Sequence, residues 1–277
     1  MTLSRGDASR QLDSAGLRAK RALGQNFVVD PNTVRRIARL AGVGPGDRVV
    51  EIGAGLGSLT LALAELGALV TAVEIDGSLV PLLRENVASS PHAGNITVVQ
   101  GDAMSLDWET VLGGHGDWAL VANLPYNVAT PLVADVLDSV PRVARMLVMV
   151  QKEVGERFAA RPREEAFGAV SVKVAFHASA RVVGIVPPTV FLPRPNVDSA
   201  LVEIVRHPVP LDPGVDRGLL FRLVRTGFAK RRKMLRGAMA GTVTPEQFVS
   251  AGIDPTARAE ELSVHDWIRL AHVVSGS

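Results

Sequence analysis

The sequence predicts an α/β protein with a mostly parallel sheet and a small all-α domain at its C-terminal end. Three observations lead to this prediction. Apolar runs alternate with helical patterns over 31–160, strand-like and Pro-rich segments follow over 170–205, and only helical periods are found from Val215 onward. Near-continuous apolar strands separated by helices are typical of a parallel sheet covered on both faces.

The bulk composition agrees with a folded protein of two domains. A chain of 277 residues is long for one hydrophobic core and short for three. Hydrophobic residues make up 47% and charged residues 21%, which is ordinary for a globular protein. We place a mobile basic N-terminal arm at 1–24, a main domain at 25–207 and a helical domain at 208–277.

What the chain lacks excludes several classes of protein. It has no cysteine, which excludes disulfides, cysteine-based zinc sites and thiol catalysis. The six histidines are scattered without metal-ligand spacing, so we expect no metal. We find no signal peptide and no apolar run of about 18 residues or more. We therefore expect a cytoplasmic monomer without membrane contact.

The predicted elements follow one another in a regular order. A helix begins at Asp30-Pro31, because Asp is a good N-cap and Pro suits the first helical position. The strands of the main domain are predicted at 48–52, 69–75, 96–99, 118–122 and 145–150, and the helices between them at 59–66, 79–87 and 131–137. After a helix at 153–160, the last predicted strands are 170–176, 182–186 and 200–205, with a loop at 187–195. Since no helix separates these last strands, we expect an antiparallel far edge.

A glycine-rich turn follows the first strand of the main domain. Residues 51–58 read Glu-Ile-Gly-Ala-Gly-Leu-Gly-Ser and lead into a helix. Glycines let the backbone turn tightly and approach a ligand at the strand end, where open α/β sheets bind nucleotides. The third glycine comes one place too early for the dinucleotide motif G-x-G-x-x-G, and there is no P-loop G-K-[S/T]. Gly53 and Gly55 are predicted to contact a cofactor.

Two acidic residues end the next two strands. Glu74 can accept hydrogen bonds from both hydroxyls of a ribose, and Asp102 can accept from an adenine amino group. Either acid alone could be a helix N-cap. Together with the glycine turn, at successive strand ends, they favour an adenosyl cofactor. Glu51 stays open, because it could orient a methionine amino group through water or simply end a strand.

The fourth strand ends in the most specific motif of the chain, Asn123-Leu124-Pro125-Tyr126. An adenine amino group is a poor nucleophile because its lone pair is delocalised into the ring. The Asn123 side-chain oxygen and the Pro125 carbonyl can accept its two N–H bonds, which frees the lone pair to attack a sulfonium methyl group. Tyr126, the single tyrosine, can stack on a flipped base. The motif predicts methylation of adenine by S-adenosyl-L-methionine.

Basic residues are concentrated near the C-terminal domain although the net charge is only +2. Eight of them, and no acidic residue, fall within 217–236. Such a run can bind phosphate or can be a solvated helix face. A smaller basic group, Arg18, Lys20 and Arg21, lies in the N-terminal arm. The predicted RNA-binding residues are Arg225, Lys230, Arg231, Arg232, Lys233 and Arg236.

Five motifs together resemble those of the ribosomal RNA adenine dimethyltransferase family. They are Leu23-Gly24-Gln25-Asn26-Phe27, 51–57, Asn123-Leu124-Pro125-Tyr126-Asn127, Val150-Gln151-Lys152-Glu153-Val154 and 186–199. The resemblance runs from about Arg18 to the C-terminus, and 228–236 resembles the family's basic helix. The chain departs from the family pattern at Ala54, Phe167, Asn196 and Met234.

The resemblance implies a Rossmann-like class I methyltransferase fold with S-adenosyl-L-methionine as cofactor. The implied activity is N6,N6-dimethylation of two adjacent adenosines in a terminal stem-loop of small-subunit (16S) ribosomal RNA, with a role in small-subunit biogenesis. Phe191 matches the family's second aromatic, which sandwiches the target base with Tyr126, although an ordinary core phenylalanine would also fit there. The implied cofactor contacts are Asn26, Val28, Gly53, Glu74, Asp102 and Asn123.

Two other functions stay open. A large-subunit ribosomal RNA adenine methyltransferase of the macrolide-resistance type shares this fold, but it more often has Ile where this chain has Leu124. A DNA adenine or protein glutamine methyltransferase would more typically carry Asp- or Asn-Pro-Pro-Tyr. A non-catalytic RNA-binding assembly factor could use the same scaffold, and the intact Asn123, Pro125, Tyr126, Glu74 and Asp102 argue against loss of catalysis.

Overall fold

The computed structural model describes residues 2–20, 23–114 and 116–276. Arg21, which belongs to the predicted basic arm, lies outside the described residues. The chain divides into a first unit, Met1–Gly155 with Arg181–Val205, and a second unit, Glu156–Ala180 with Arg206–Ser277. The sheet belongs mainly to the first unit, whereas the second unit is mainly helical.

The helices and strands have the following bounds in chain order. They are α1 (Arg5–Ser14), β1 (Phe27–Val28), α2 (Pro31–Leu40), β2 (Arg48–Ile52), α3 (Ser58–Glu65), β3 (Leu69–Glu74), α4 (Val80–Ala88), β4 (Ile96–Gln100), α5 (Trp108–Leu112), β5 (Trp118–Asn123), α6 (Ala129–Ser139), β6 (Val143–Gln151), α7 (Lys152–Ala159), α8 (Ala169–His177), β7 (Ala178–Val186), β8 (Phe191–Leu192), β9 (Ser199–Arg206), α9 (Arg217–Ala229), α10 (Leu235–Ala238), α11 (Pro245–Ser250) and α12 (Val264–Ser275).

Seven strands form one sheet in the order β4-β3-β2-β5-β6-β9-β7. The pairs β3–β4, β2–β3, β2–β5 and β5–β6 are parallel, and β6–β9 is antiparallel. This confirms the predicted parallel sheet with an antiparallel far edge. Because β2, β3, β4 and β5 run the same way, their carboxyl ends meet at one edge of the sheet, where ligands bind in open α/β folds.

The N-terminal segment differs from the predicted mobile arm, because α1 is a capped helix. The Ser4 hydroxyl accepts from the Asp7 N–H, while Asp7 accepts from the Ser4 N–H, so the helix start is satisfied. Ala8 and Leu12, one turn apart, are buried in a cluster of the first unit. Two buried positions are too few to produce a visible apolar periodicity. The Ser-x-x-Asp spacing was the available signal.

The prediction of a strand at 170–176 is wrong, because these residues belong to α8. The alternation Val-Ser-Val-Lys-Val imitates the period of a strand. In the structure, Val172 and Phe176 lie one helical turn apart and are buried in the core of the second unit with Phe221. The Ser171 hydroxyl accepts from the Gly168 N–H and donates to the Arg157 carbonyl, which supports the helix start.

The second unit also begins earlier than predicted. Its core takes in Phe167, Val172 and Phe176 beside residues of α9 and α12, so 156–180 join the helical unit that was predicted to start at 208. These contacts connect parts of the chain that are distant in sequence, so a local sequence pattern cannot predict them. Over the described ranges, none of the helices combines the length and apolar character that crossing a bilayer requires.

A small second sheet lies inside the predicted loop 187–195. There β8 pairs antiparallel with β1, with Phe27 opposite Leu192 and Val28 opposite Phe191. The Val29 N–H continues the ladder by donating to the Val190 carbonyl over 2.8 Å. This pairing fixes the segment that follows Asn26 against the first unit.

Candidate active site

Four neighbouring parallel strands carry polar or glycine residues where they end. Asp102 follows β4, Glu74 ends β3, Gly53 follows β2 and Asn123 ends β5. We call these four residues the strand-end site. The sequence predicted these residues at successive strand ends, and the parallel sheet brings the four ends together at one edge.

Two adjoining cavities open at the strand-end site. The first has about 970 Å³ of empty space and the second about 550 Å³, both counted with their solvent-open parts. Both are lined by Gly53, Ile75 and Pro125. The predicted cofactor residues Asn26, Val28, Gly53, Gly55, Glu74 and Asn123 line the first, and Asp102 lines the second.

The glycine turn needs glycine for reasons visible in its backbone. Gly53, Gly55 and Gly57 have φ angles of 75°, 57° and 87°, a region that disfavours side chains. A Cβ on Gly55 would also come within 3.0 Å of the Phe27 ring. The turn therefore brings bare backbone to the floor of the first cavity. Phe27, which lines this cavity, is a residue that sequence reasoning did not single out.

Glu74 is held rigidly at the end of β3. One carboxylate oxygen accepts from the Gly55 N–H at 2.7 Å and the other from the Asp76 N–H at 2.8 Å. Burial raises the pKa of Glu74, against the lowering effect of these hydrogen bonds. Each carboxylate oxygen retains a second lone pair, so the group can accept from two ribose hydroxyls. The fit to an adenosyl ligand is good at this position.

The second cavity suits the flat face of a base. Apolar side chains of Ile75, Met104, Val128 and Leu132 line it. Ile75 and Met104 are 46% and 42% exposed, so both present apolar surface that a ligand in this cavity would cover. Asp102 is exposed at the rim and accepts from the Met104 N–H at 2.9 Å. An adenine base in this slot would have a carboxylate at its edge.

Asn123 has an amide whose orientation is set by the protein. Its Nδ2 donates to the Asn26 carbonyl at 2.8 Å. The nitrogen is therefore directed toward Asn26, and the side-chain oxygen is left as the acceptor. This is the geometry that the predicted chemistry requires, since the target amino group must donate to an oxygen.

The second predicted acceptor, the Pro125 carbonyl, is contradicted by its contacts. It already accepts from the Val128 and Ala129 N–H groups, each at 3.1 Å, at the start of α6. A carbonyl has two lone pairs, and both are used here. Within the described part of the chain, the Leu124 carbonyl next to it accepts no hydrogen bond, whereas the Leu124 N–H donates to Met149. The structure therefore points to Leu124 as the backbone acceptor, with Pro125 shaping the turn.

The two predicted stacking residues differ in their burial and in whether they line a cavity. Tyr126 is half-buried, lines the first cavity and lies with its hydroxyl 3.1 Å from that of Ser199. Phe191 is 1% exposed and packs in the sheet core of the first unit. A ring closed off in this way cannot stack on an incoming base. The structure contradicts the predicted sandwich and supports the interpretation of Phe191 as a core residue.

Glu51, left open by the sequence, is buried beneath the glycine turn. It lines the first cavity and accepts from the Thr60 hydroxyl. Burial raises its pKa to about 8, with the nearby Glu74 charge adding to the shift. At neutral pH this carboxyl is therefore largely protonated.

The predicted RNA-binding residues lie on α9, in the segment that follows it and on α10, all in the second unit. We call Lys230, Arg231, Arg232, Lys233 and Arg236 the basic turn. All five, and Arg225 on α9, are exposed. Arg231 differs from the rest, since its Nε donates to Glu260 and its Nη2 donates to the Glu165 carbonyl, both at 2.6 Å. Its guanidinium is engaged within the second unit, whereas RNA contact by the basic turn stays a prediction.

Comparison with known proteins agrees with this geometry. Residues 16–275 match the family model described as ribosomal RNA adenine dimethylase. The chain is 48% identical to the Ribosomal RNA small subunit methyltransferase A of Cutibacterium acnes, over 96% of this chain and 92% of that protein.

Two solved structures share the fold. A dimethyladenosine transferase from Plasmodium falciparum gives a TM-score of 0.74 at 22% identity, covering 87% of this chain and 94% of that one. The 23S rRNA methyltransferase ErmE gives 0.68 at 25% identity, covering 90% and 99%.

The fold and the strand-end site define a class I methyltransferase that uses S-adenosyl-L-methionine. The chain belongs to the ribosomal RNA adenine dimethylase family. It is therefore an enzyme, and the predictions of fold, cofactor class and family are confirmed.

Proposed function

We propose that this enzyme dimethylates N6 of two adjacent adenosines in a terminal stem-loop of small-subunit ribosomal RNA. The observation that carries the proposal is the Asn123 amide, whose oxygen is left as an acceptor by the bond from Nδ2 to Asn26. A relative named as a small-subunit methyltransferase, at 48% identity over nearly the whole chain, supports this choice of RNA over the large subunit.

The residues of the first unit would hold both reactants. Glu74 accepts from the ribose hydroxyls, Asp102 accepts from the adenine amino group, and Ile75 and Met104 cover the base of the cofactor. When bound, the cofactor supplies an electrophilic methyl group on its sulfonium. The glycine turn, where Gly53 and Gly55 carry no side chain, leaves room for the rest of the cofactor to lie against its backbone.

Asn123 and Leu124 would activate the target nitrogen. The Asn123 oxygen and the Leu124 carbonyl accept its two hydrogens, so the nitrogen becomes tetrahedral and its lone pair is released from the ring. Because these acceptors gain strength as positive charge develops on nitrogen, they stabilise the transition state more than the ground state. Tyr126 stacks on the target base. The basic turn holds the RNA backbone, and we place the protein in the cytoplasm as a monomer, bound to the small subunit or its precursor.

The proposal is tested by single-turnover methylation with labelled S-adenosylmethionine. Unmethylated small-subunit particles and large-subunit RNA are compared, and dimethyladenosine is measured by nucleoside mass spectrometry. We expect product in the small-subunit RNA alone, and a rate for Asn123→Ala that is lower by about 100-fold or more. Cofactor affinity, measured by calorimetry, should be retained in this variant.

The control is Asn32→Ala, which removes an exposed asparagine on α2. Product in the large-subunit RNA would instead support an enzyme of the macrolide-resistance type. Cofactor and RNA binding without any product would support a non-catalytic assembly factor. A fully active Asn123→Ala would show that the proposed chemistry is wrong.

A further inference from the structure

Asp76 is a buried carboxylate that the proposed reaction does not use. It is 5% exposed and lies two residues beyond Glu74. Burying a carboxylate is costly unless hydrogen-bond donors surround it. Its Oδ1 accepts from Lys20 Nζ at 2.7 Å and from the Ser78 hydroxyl at 2.6 Å, and its Oδ2 accepts from Gln25 Nε2 at 2.8 Å. Two of these three side chains, Lys20 and Gln25, come from the segment between α1 and β1, and Gln25 lines the first cavity.

The charge of Asp76 is stabilised by this arrangement. Burial acts to raise its pKa, but the hydrogen bonds from Lys20, Ser78 and Gln25 outweigh burial and hold the pKa below its ordinary value. The carboxylate therefore stays ionised at neutral pH, where charge-assisted hydrogen bonds are the stronger ones.

A short chain of contacts leads from Asp76 to the reacting centre. Gln25 uses both ends of its amide, because its Oε1 accepts from the Lys20 N–H at 2.7 Å while its Nε2 donates to Asp76. The next residue is Asn26, whose carbonyl accepts from Asn123 Nδ2 at 2.8 Å. On its other side, Asn26 continues into β1, which is paired with β8. The position of the Asn26 carbonyl is thus fixed from both directions.

Asp76 also reaches the cofactor side of the strand-end site. Its backbone N–H donates to Glu74 at 2.8 Å. Since this bond comes from the main chain, it survives a change of the Asp76 side chain. The Asp76 side chain therefore contacts Gln25, while its backbone N–H contacts Glu74. A substitution of Asp76 removes the first contact and keeps the second.

We propose that Asp76 is a positioning residue for methyl transfer, which holds Gln25 so that the Asn26 carbonyl orients the Asn123 amide. The inference rests on the proposed function, in which the Asn123 oxygen accepts from the target amino group. Lys20 balances the charge of the Asp76 carboxylate, and the Ser78 hydroxyl donates a further hydrogen bond to it.

The test begins with Asp76→Asn, which has nearly the same shape. Its NH₂ group must face either Lys20 or Gln25, so one donor meets another and the Gln25 contact is weakened. We expect kcat to fall about tenfold or more, since small displacements of a catalytic group are costly. The KM for RNA and the Kd for S-adenosylmethionine should stay within about threefold, because the substrate-binding groups and the Asp76 N–H are unchanged.

The decisive measurement combines Asp76→Asn with Asn123→Ala in single-turnover assays. Once the Asn123 amide is gone, there is nothing left for Asp76 to orient, so the double variant should be no slower than Asn123→Ala. Gln25→Ala should reproduce the loss of kcat and provides the same test if Asp76→Asn does not fold. The proposal would be overturned if the rate losses of Asp76→Asn and Asn123→Ala multiplied in the double variant. It would also be overturned if kcat were unchanged in both Asp76→Asn and Gln25→Ala.

Asp266→Asn is the matched control. Asp266 also accepts from a hydroxyl and an arginine, but it caps α12 in the second unit, so it should leave kcat unchanged. The two proposals fail in different ways. If Asn123→Ala is fully active, the proposed function is wrong. If Asn123→Ala is slow while Asp76→Asn and Gln25→Ala are both fully active, the positioning role alone is wrong.

Discussion

The strand-end site and the basic turn both carry polar side chains that we predict to bind substrates, but the two regions hold those side chains in opposite ways. At the strand-end site, Glu74 accepts two backbone N–H groups and the Asn123 amide is fixed by Asn26. On the basic turn, the side chains are exposed, and Arg231 bonds to groups of its own unit.

This difference fits two separate predicted roles, the methyl-transfer reaction at the strand-end site and the binding of the RNA backbone at the basic turn. Fixed groups in a partly closed cavity act at one point of the reaction and cost no reorganisation when charge develops. Exposed cations bind phosphate anywhere along a backbone, and salt screens them. Substitutions in the first region should therefore change cofactor affinity or kcat at every salt concentration, whereas substitutions in the second should change RNA affinity in a way that depends on salt.

The largest effect on this comparison is expected from Glu74→Gln. It replaces one carboxylate oxygen by a donor that faces a backbone N–H, and it removes the charge that would accept from a ribose. Hydrogen bonds to charged groups contribute about 1.5 to 3 kcal/mol, so the Kd for S-adenosylmethionine should rise about tenfold or more by calorimetry. Thermal unfolding checks the fold. Glu85→Gln, a substitution at an exposed position on α4, is the control and should leave the Kd unaltered. An unaltered Kd in Glu74→Gln would contradict the role of Glu74 as the acceptor for the ribose hydroxyls.

An intermediate effect is expected on the basic turn. Arg232→Gln with Lys233→Gln should lower RNA affinity and reduce the log–log salt slope by about 0.7 to 0.9 for each phosphate that is no longer neutralised. Cofactor affinity should not change. RNA titrations at several salt concentrations measure the slope, with Arg35→Gln plus Arg39→Gln on α2 as a control of equal charge. Equal salt slopes in the two double variants would show that the basic turn does not bind phosphate and is a solvated surface.

The prediction with the least bearing on substrate binding concerns the stability of the fold and Glu51, whose pKa is raised by burial to about 8 from an ordinary 4.5. Between these values the folded state holds a proton that the unfolded state has released, so stability falls as pH rises through this window. Glu51→Gln has no such proton to release. The difference in free energy of unfolding, variant minus wild type, should rise by about a few kcal/mol from about pH 5 to about pH 8. Urea unfolding of both proteins across this pH range measures the difference. If the free energies of unfolding of wild type and Glu51→Gln changed with pH in parallel, the raised pKa of Glu51 would be contradicted.

Much of the first unit could be predicted from the sequence, because its signals are local. Alternating apolar strands and helices indicated the parallel sheet, and the N-cap at Asp30 indicated the start of α2. A glycine-rich turn and polar residues after strands indicated the strand-end site. Local patterns failed at α8, where a sequence with a strand-like period forms a helix, because tertiary packing of Phe176 decided between the two.

By itself, the sequence determined which residues stand at the ends of the strands and, through its motifs, the family and the chemistry. Only the tertiary structure decided which polar atoms are already bonded and which side chains are buried. It assigned both lone pairs of the Pro125 carbonyl to α6, closed Phe191 into the core and joined Asp76 to Gln25. The physical reason is that strand period and turn geometry depend on neighbours in the chain, whereas burial and hydrogen-bond partners depend on residues that are distant in sequence and meet only on folding.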